Sequence, residues 1–270
     1  MNNDIVYKEF LLFAEELVNE SGIILKKAFK NKIEYEIKGD QSFITKYDLL
    51  IEELFRNRIT KKYSNHGILG EEFKSHKTES EFVWVLDPID GTAQFIAGLP
   101  VFGTLIGLAW KGKPLIGIID NPVTNERWIG ITGQYAKKNG KIIKTSDCSN
   151  INNAYMVCSS PDFMNKNELK YFSKIKKKVN YVQYGGSCHS YGLLANGRVD
   201  VAIDCSFAPF DYFANAAIIS GAGGYLSKWD GDDVDLNWDG AIIASGNIDL
   251  HNQLISVSYT HLTLPTIYSV

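Results

Sequence analysis

Apolar side chains recur at helical spacing near the start of the chain. Phe10, Phe13, Leu17, Ile24 and Ala28 fall on one face of residues 4–29, with acidic residues between them. The same period returns from Asp48 to about Tyr63, where Leu50, Leu54 and Ile59 share a face. Two amphipathic helices are predicted there. Between them Glu34–Lys38 suits a short strand, and Lys38-Gly39-Asp40 a turn.

From Ile68 the texture changes. Ile68-Leu69, Phe82–Leu86, Val101–Ala109, Leu115–Ile119 and Trp128–Ile131 are short apolar runs broken by Gly, Pro and Asn, the pattern of strands in one sheet. The second half alternates. Strands are expected near Ala154–Ser159, Val182, Val199–Ile203, Tyr225 and Ile242, and helices at Asn167–Lys178, Ser187–Asn196 and Tyr212–Gly221. Helices mixed with strands in both halves predict a layered α/β or α+β protein. The expected division is an N-terminal α+β half over 1–145, a C-terminal α/β half over 146–256, and a tail over 257–270. A helix starts at Asp249–Ile255, but the period fails from about Val257, so the tail reads as foreign to the fold or as an extended end.

Composition removes several function classes. With 270 residues, 45% of them hydrophobic, the chain can bury a large core. A formal net charge of -3 does not favour a nucleic-acid surface, and the cationic run Lys174 to Lys178 fits a solvated helix face. The cysteines at 148, 158, 188 and 205 form neither a CxxC pair nor a zinc spacing, which suits a reduced compartment. The opening MNNDIVYKEF lacks the basic start and apolar run of a secretory signal. No apolar stretch approaches the roughly 18 residues of a membrane span. A cytoplasmic enzyme is expected, with no membrane and no nucleic-acid partner.

Acids concentrate beside tight turns in three places: Gly70-Glu71-Glu72, Asp87-Pro88-Ile89-Asp90-Gly91-Thr92 and Pro209-Phe210-Asp211. The second is the most informative. Asp87 leaves a buried strand, Pro88 stiffens the turn, and Asp90 follows three residues on, so both carboxylates can converge. Gly91 allows close backbone approach, and a short helix opened by Thr92 would present free N–H groups to an anion. Such acids can also serve as helix caps and turn formers. Five of them after apolar strands, with no converging His or Cys, point instead to Mg²⁺ or Mn²⁺. Cations beside anion-binding amides are the parts of metal-assisted phosphoryl transfer.

GEE, then WVLDPIDGT, then PFDYFANAAIISGAGG resemble the inositol monophosphatase superfamily over roughly residues 5–255. The resemblance implies an αβαβα layered fold, two or three Mg²⁺ ions, frequent dimerisation (hence a homodimer here) and lithium sensitivity. By position it implies that Glu71, Asp87 and the Ile89 carbonyl hold one metal. Asp87, Asp90 and Asp211 hold the second, and a weaker ion shares Glu71. Gly91 and Thr92 offer N–H groups to the phosphate, while Asp48 (in Thr45-Lys46-Tyr47-Asp48, like the family's T-x-x-D) and the Thr92 hydroxyl orient the attacking water. Glu72 stands behind the ligands or on the surface. Gly221-Ala222-Gly223-Gly224 lacks the Lys and Ser/Thr of a phosphate loop and suits tight helix-to-strand packing.

The segments GTLIGL, IGIIDNPVTNERWIG and YGGSCHSYGLLANGRVD resemble the histidinol-phosphate phosphatase branch more closely than classical inositol phosphatases. Asp204, seven residues before Asp211, stands where the family contacts the leaving group, although that branch usually carries Glu. Ser187 stands where the branch often has Asp and inositol phosphatases often have Ser. His189 fits either the pocket or a packed helix. Histidinol phosphate is the expected substrate. The alternatives are inositol 1-phosphate, 3′-phosphoadenosine 5′-phosphate, and a metal or phosphate sensor without catalysis.

Overall fold

The computed structural model describes residues 3–39 and 41–259. Helix α1 (Asn3–Ala28) buries Phe10, Phe13 and Leu17, as its period predicts. Helix α2 (Lys46–Lys62) has the predicted period in a different phase. Its inward face is Asp48, Ile51, Glu52, Phe55 and Ile59, while Leu50 is exposed. Two carboxylates occupy positions that a pattern of apolar residues alone assigns to Leu.

Strands β1 (Glu36–Ile37) and β2 (Phe43–Ile44) form a small antiparallel ribbon joining the two helices. A seven-stranded sheet follows in chain order. It contains β3 (Gly67–Gly70), β4 (Phe82–Asp90), β5 (Gly103–Trp110), β6 (Lys113–Asn121), β7 (Glu126–Ile131), β8 (Tyr135–Lys138) and β9 (Lys141–Ile143). Only the β3–β4 pair is parallel; the rest is a meander. The sequence reading lacks β8 and β9, which are short and Lys-rich. Their turn is Asn139-Gly140, both in the left-handed region at φ 48° and 78°, a strong hairpin signal. The short helix α3 (Thr92–Ala97) sits between β4 and β5.

The second sheet has the order β11-β10-β12-β14-β13. Its elements are β10 (Tyr155–Cys158), α4 (Lys166–Lys176), β11 (Tyr181–Tyr184), α5 (Ser187–Ala195), β12 (Val201–Phe207), α6 (Pro209–Gly221), β13 (Tyr225–Lys228), β14 (Gly240–Ser245) and α7 (Ile248–Tyr259). Helices α5 and α6 lie between the sheets, α1 and α2 cover the outer face of the first, and α4 and α7 pair beside the second. The expected αβαβα layering is present.

Helix α6 lies very close to the first sheet: a β-carbon on Gly221 would fall 2.3 Å from the Tyr135 carbonyl, so this glycine run does serve packing. One core cluster joins both sheets through Trp128, Tyr191, Phe213 and Ile242. Helix α7 corrects the expected break at Val257. It continues to Tyr259, with Leu250 and Leu254 fully buried and Val257 packed against the same cluster. Residues 260–270 lie outside the described residues.

Candidate metal and phosphate site

The site is built where β4 ends and α6 begins. Pairing of β4 with β5 shifts register between Asp87 and Asp90, which turns the strand's last residues out of the regular pleat. Asp87 is buried, with Oδ1 accepting the Ile89 N–H at 3.0 Å. Asp90 Oδ2 accepts the Cys188 N–H at the start of α5. Asp211, in the first turn of α6, accepts the Ala208 N–H through Oδ2 at 2.7 Å. Each carboxylate is therefore oriented by a backbone amide, and one oxygen of each lies within 4.8 Å of the others.

Burial holds all three carboxyls above the usual carboxylate range, and the charge of Glu71 adds to it. Like charges at this separation in a buried pocket need protons or a cation between them. The donor set is all oxygen, which suits a hard divalent cation. Burial and the adjacent Asp90 push the Cys188 thiol up.

Glu71 is near this triad but not within it. It follows β3, its N–H donates to Leu86 O at 3.2 Å, and its Oε1 accepts Lys38 Nζ at 3.0 Å. Lys38 also donates to Glu72 Oε1 at 2.8 Å. Burial alone would lower the Lys38 ammonium, but Glu71 and Glu72 hold it above its usual range. Glu72 is therefore no surface acid: it pairs with Lys38, and burial with the neighbouring Glu71 raises it to about 7. From its sequence Lys38 is expected only at the end of a short strand and in the turn that follows it.

Asp48 is fully buried, and its Oδ2 accepts both the N–H and the hydroxyl of Thr45, at 2.7 and 2.6 Å. That reciprocal cap starts α2. Burial raises Asp48 to about 6. Its Oδ1 lies 3.5 Å from the Thr92 hydroxyl, whose nearer partner is Ile89 O at 2.9 Å. Gly91 has φ 82°, and a β-carbon there would fall 2.7 Å from Ser187 Oγ, so glycine is required twice over. Ser187 thus sits against the Asp90–Thr92 turn, itself in the left-handed region at φ 44°.

Asp204 departs from expectation. Burial raises it to about 6, and both of its oxygens are engaged internally. Oδ1 accepts the Ser159 N–H at 2.6 Å and Oδ2 accepts the Tyr191 hydroxyl at 2.7 Å. A side chain one methylene shorter than Glu is held back in the protein. His189 packs edge-on to Trp128 at 5.3 Å, with Glu126 3.7 Å away, which is the packed-helix alternative.

The inositol monophosphatase family model matches residues 6–263. The chloroplastic bifunctional phosphatase IMPL2 of Arabidopsis thaliana is 37% identical over 264 residues, covering 94% of this chain and 76% of the plant protein. A histidinol-phosphatase of Chlorobaculum parvum is 28% identical, covering 87% and 92% of the two chains. A solved inositol monophosphatase from Zymomonas mobilis superposes with a TM-score of 0.85 at 33% identity, covering 93% of this chain and 98% of its own. This chain belongs to the inositol monophosphatase family, and it is a metal-dependent phosphoric monoester hydrolase. No helix among the described residues is long and apolar enough to cross a membrane.

Proposed function

We propose that the protein hydrolyses histidinol phosphate to histidinol and phosphate with Mg²⁺ held by Glu71, Asp87, Asp90, Asp211 and the Ile89 carbonyl. The observation that carries the metal reading is the convergence of three backbone-oriented carboxylates, Asp87 buried and Asp90 and Asp211 partly buried, within 4.8 Å. Bound there, divalent cations supply Lewis acidity for the attacking water and charge stabilisation for the departing alkoxide. The chain's own share is orientation. Asp48 and the Thr92 hydroxyl direct the water, and the N–H groups of Gly91 and Thr92 face the phosphate. The buried setting strengthens each of these polar contacts.

Support for histidinol phosphate comes from the likeness of the segments at 103–108, 116–130 and 184–200 to that branch and from the histidinol-phosphatase among its relatives. Asp204 adds no support, since its oxygens already have protein donors. Inositol 1-phosphate is the second reading, favoured by Ser187 and by the similarity to the Zymomonas enzyme. Two or three ions and a homodimer complete the proposal on the family resemblance alone, and a cytoplasmic setting on composition. Phosphate release from both esters with Mg²⁺ tests it. A higher kcat/KM for L-histidinol phosphate is expected, and equal or reversed selectivity would transfer the assignment to inositol phosphate.

A further inference from the structure

Two buried carboxylates lie one turn apart on the inward face of α2, and the reaction proposed above uses only one. Asp48 and Glu52 are both fully buried there, beside Ile51, Phe55 and Ile59. A carboxylate is rarely buried in such company without dedicated partners. Those of Glu52 all belong to one short turn or to the arginine that braces it. Glu52 Oε2 accepts the Glu72 N–H at 2.8 Å, and Oε1 accepts the Phe73 N–H at 3.3 Å and Arg56 Nε at 2.7 Å. Arg56 then donates Nη2 to Phe73 O at 2.9 Å and Nη1 to Lys74 O at 3.1 Å. Gly70 admits the carboxylate, since a β-carbon there would fall 2.1 Å from Glu52 Oε1.

Glu71 stands between Gly70 and Glu72. Its own N–H is tied to Leu86 O on β4, and the next two N–H groups are tied to Glu52. The backbone carrying Glu71 is thus fixed from the sheet on one side and from α2 on the other. We propose that Glu52, braced by Arg56, is a positioning residue that sets the Glu71 carboxylate at the metal site by gripping the backbone of residues 72 and 73. The inference rests on the proposed role of Glu71 as a metal ligand. Four residues of helix advance about 6 Å, so α2 also fixes the spacing between Asp48 and the turn that carries Glu71. Arg56 suits the brace because its planar fork reaches three acceptors at once, which Lys cannot do.

The test uses the full chain and Mn²⁺ as the probe, with binding followed by electron paramagnetic resonance. Glu52→Gln keeps the volume but turns an N–H₂ toward amide donors. Gly70→Ala pushes the carboxylate aside, and Arg56→Lys removes the fork. Loss of a group that orients a metal ligand typically weakens metal binding about 10- to 100-fold. That loss is expected for Glu52→Gln and Gly70→Ala, with a smaller one for Arg56→Lys. The Mg²⁺ half-saturation of phosphate release should rise in parallel, while KM for the ester at saturating metal stays within twofold. Circular dichroism identifies the folded variants, and if Glu52→Gln does not fold the other two decide. Mn²⁺ affinity within twofold of wild type in the folded variants would overturn the proposal, leaving Glu52 a purely structural role. A distinct outcome, Asp87→Asn binding Mn²⁺ as tightly as wild type, would overturn the metal-site reading and this proposal with it.

Discussion

The two sheets meet at the site but present it in different ways. The first sheet brings Asp87 and Asp90 from the end of a nine-residue strand, in regular backbone apart from one register shift. On the other side Ser187 opens α5 in the left-handed region at φ 44°, and β12 of the second sheet withdraws Asp204 into hydrogen bonds of its own. Such backbone costs about 1–2 kcal/mol per non-glycine residue. Strain of this kind persists where surrounding structure over-determines it, often beside a functional site. The contrast separates two tasks. Acidic charge is placed on the sheet with regular geometry, while the α5 side meets it with the strained backbone of Ser187. Asp211 links the two, since it starts α6 behind the second sheet's strand β12 yet joins the carboxylates of the first.

The largest effect should come from breaking that link. Asp90→Asn and Asp211→Asn are each expected to lower kcat about 100-fold or more, as loss of transition-state charge stabilisation does. Both should stay folded, and their metal-free melting temperatures should rise slightly because one of several crowded charges is gone. Near wild-type kcat in both variants at saturating Mg²⁺ would remove the proposed site.

A second effect concerns pH. Asp48 and Asp204 are each raised to about 6, and the buried triad is raised as well. Groups with raised folded-state values stabilise fully below their unfolded value near 3.9, and that stability is lost as pH rises through about 6. Metal-free protein should therefore lose several degrees of melting temperature between pH 5 and 7.5, and Mg²⁺ should restore more at 7.5 than at 5. His251 acts oppositely. Bracketed by Ser227 and Ser245, it is lowered to about 4 by burial, so its contribution is present above 6.5 and fades toward pH 4. Thermal melts across pH in His251→Gln would isolate that limb.

Asp204→Asn sharpens the comparison on the leaving-group side. An amide that still accepts the Ser159 N–H turns its N–H₂ to the Tyr191 hydroxyl, whose own buried proton then loses its acceptor, costing roughly 1–3 kcal/mol. The expected result is a lower melting temperature with histidinol phosphate and inositol 1-phosphate affected alike. A selective loss of one ester would show that Asp204 reaches substrate after all. The smallest effect is at the C-terminal helix: truncation after Ile255 removes the packed Val257 and should cost about 1 kcal/mol of stability, read as a melting shift of a few degrees.

The layered fold and the Asp87–Asp90 pair were legible in the sequence because both rest on local order, whereas Asp211 beside them was implied only by the family resemblance. Strand-length apolar runs set the layers, and the Asp87–Thr92 segment carries its own turn chemistry. What escaped depends on partners far along the chain. Lys38 meets Glu71 and Glu72 across more than thirty residues, |i−j| = 33 and 34, and nothing near it signals that pairing. The true face of α2 was hidden because two of its inward positions are acids, although Asp48, Glu52 and Arg56 at steps of four were a readable sign of one polar stripe. The internal partners of Asp204 were not legible, since Tyr191 lies on a separate helix and its hydroxyl direction follows only from packing.

The most direct measurement is anomalous diffraction from crystals of the wild-type protein grown with Mn²⁺. The proposed site predicts a strong anomalous peak coordinated by Asp87, Asp90 and Asp211, with a second near Glu71 and Asp87. Ordered Mn²⁺ elsewhere, with these carboxylates free of metal at saturating concentration, would contradict it.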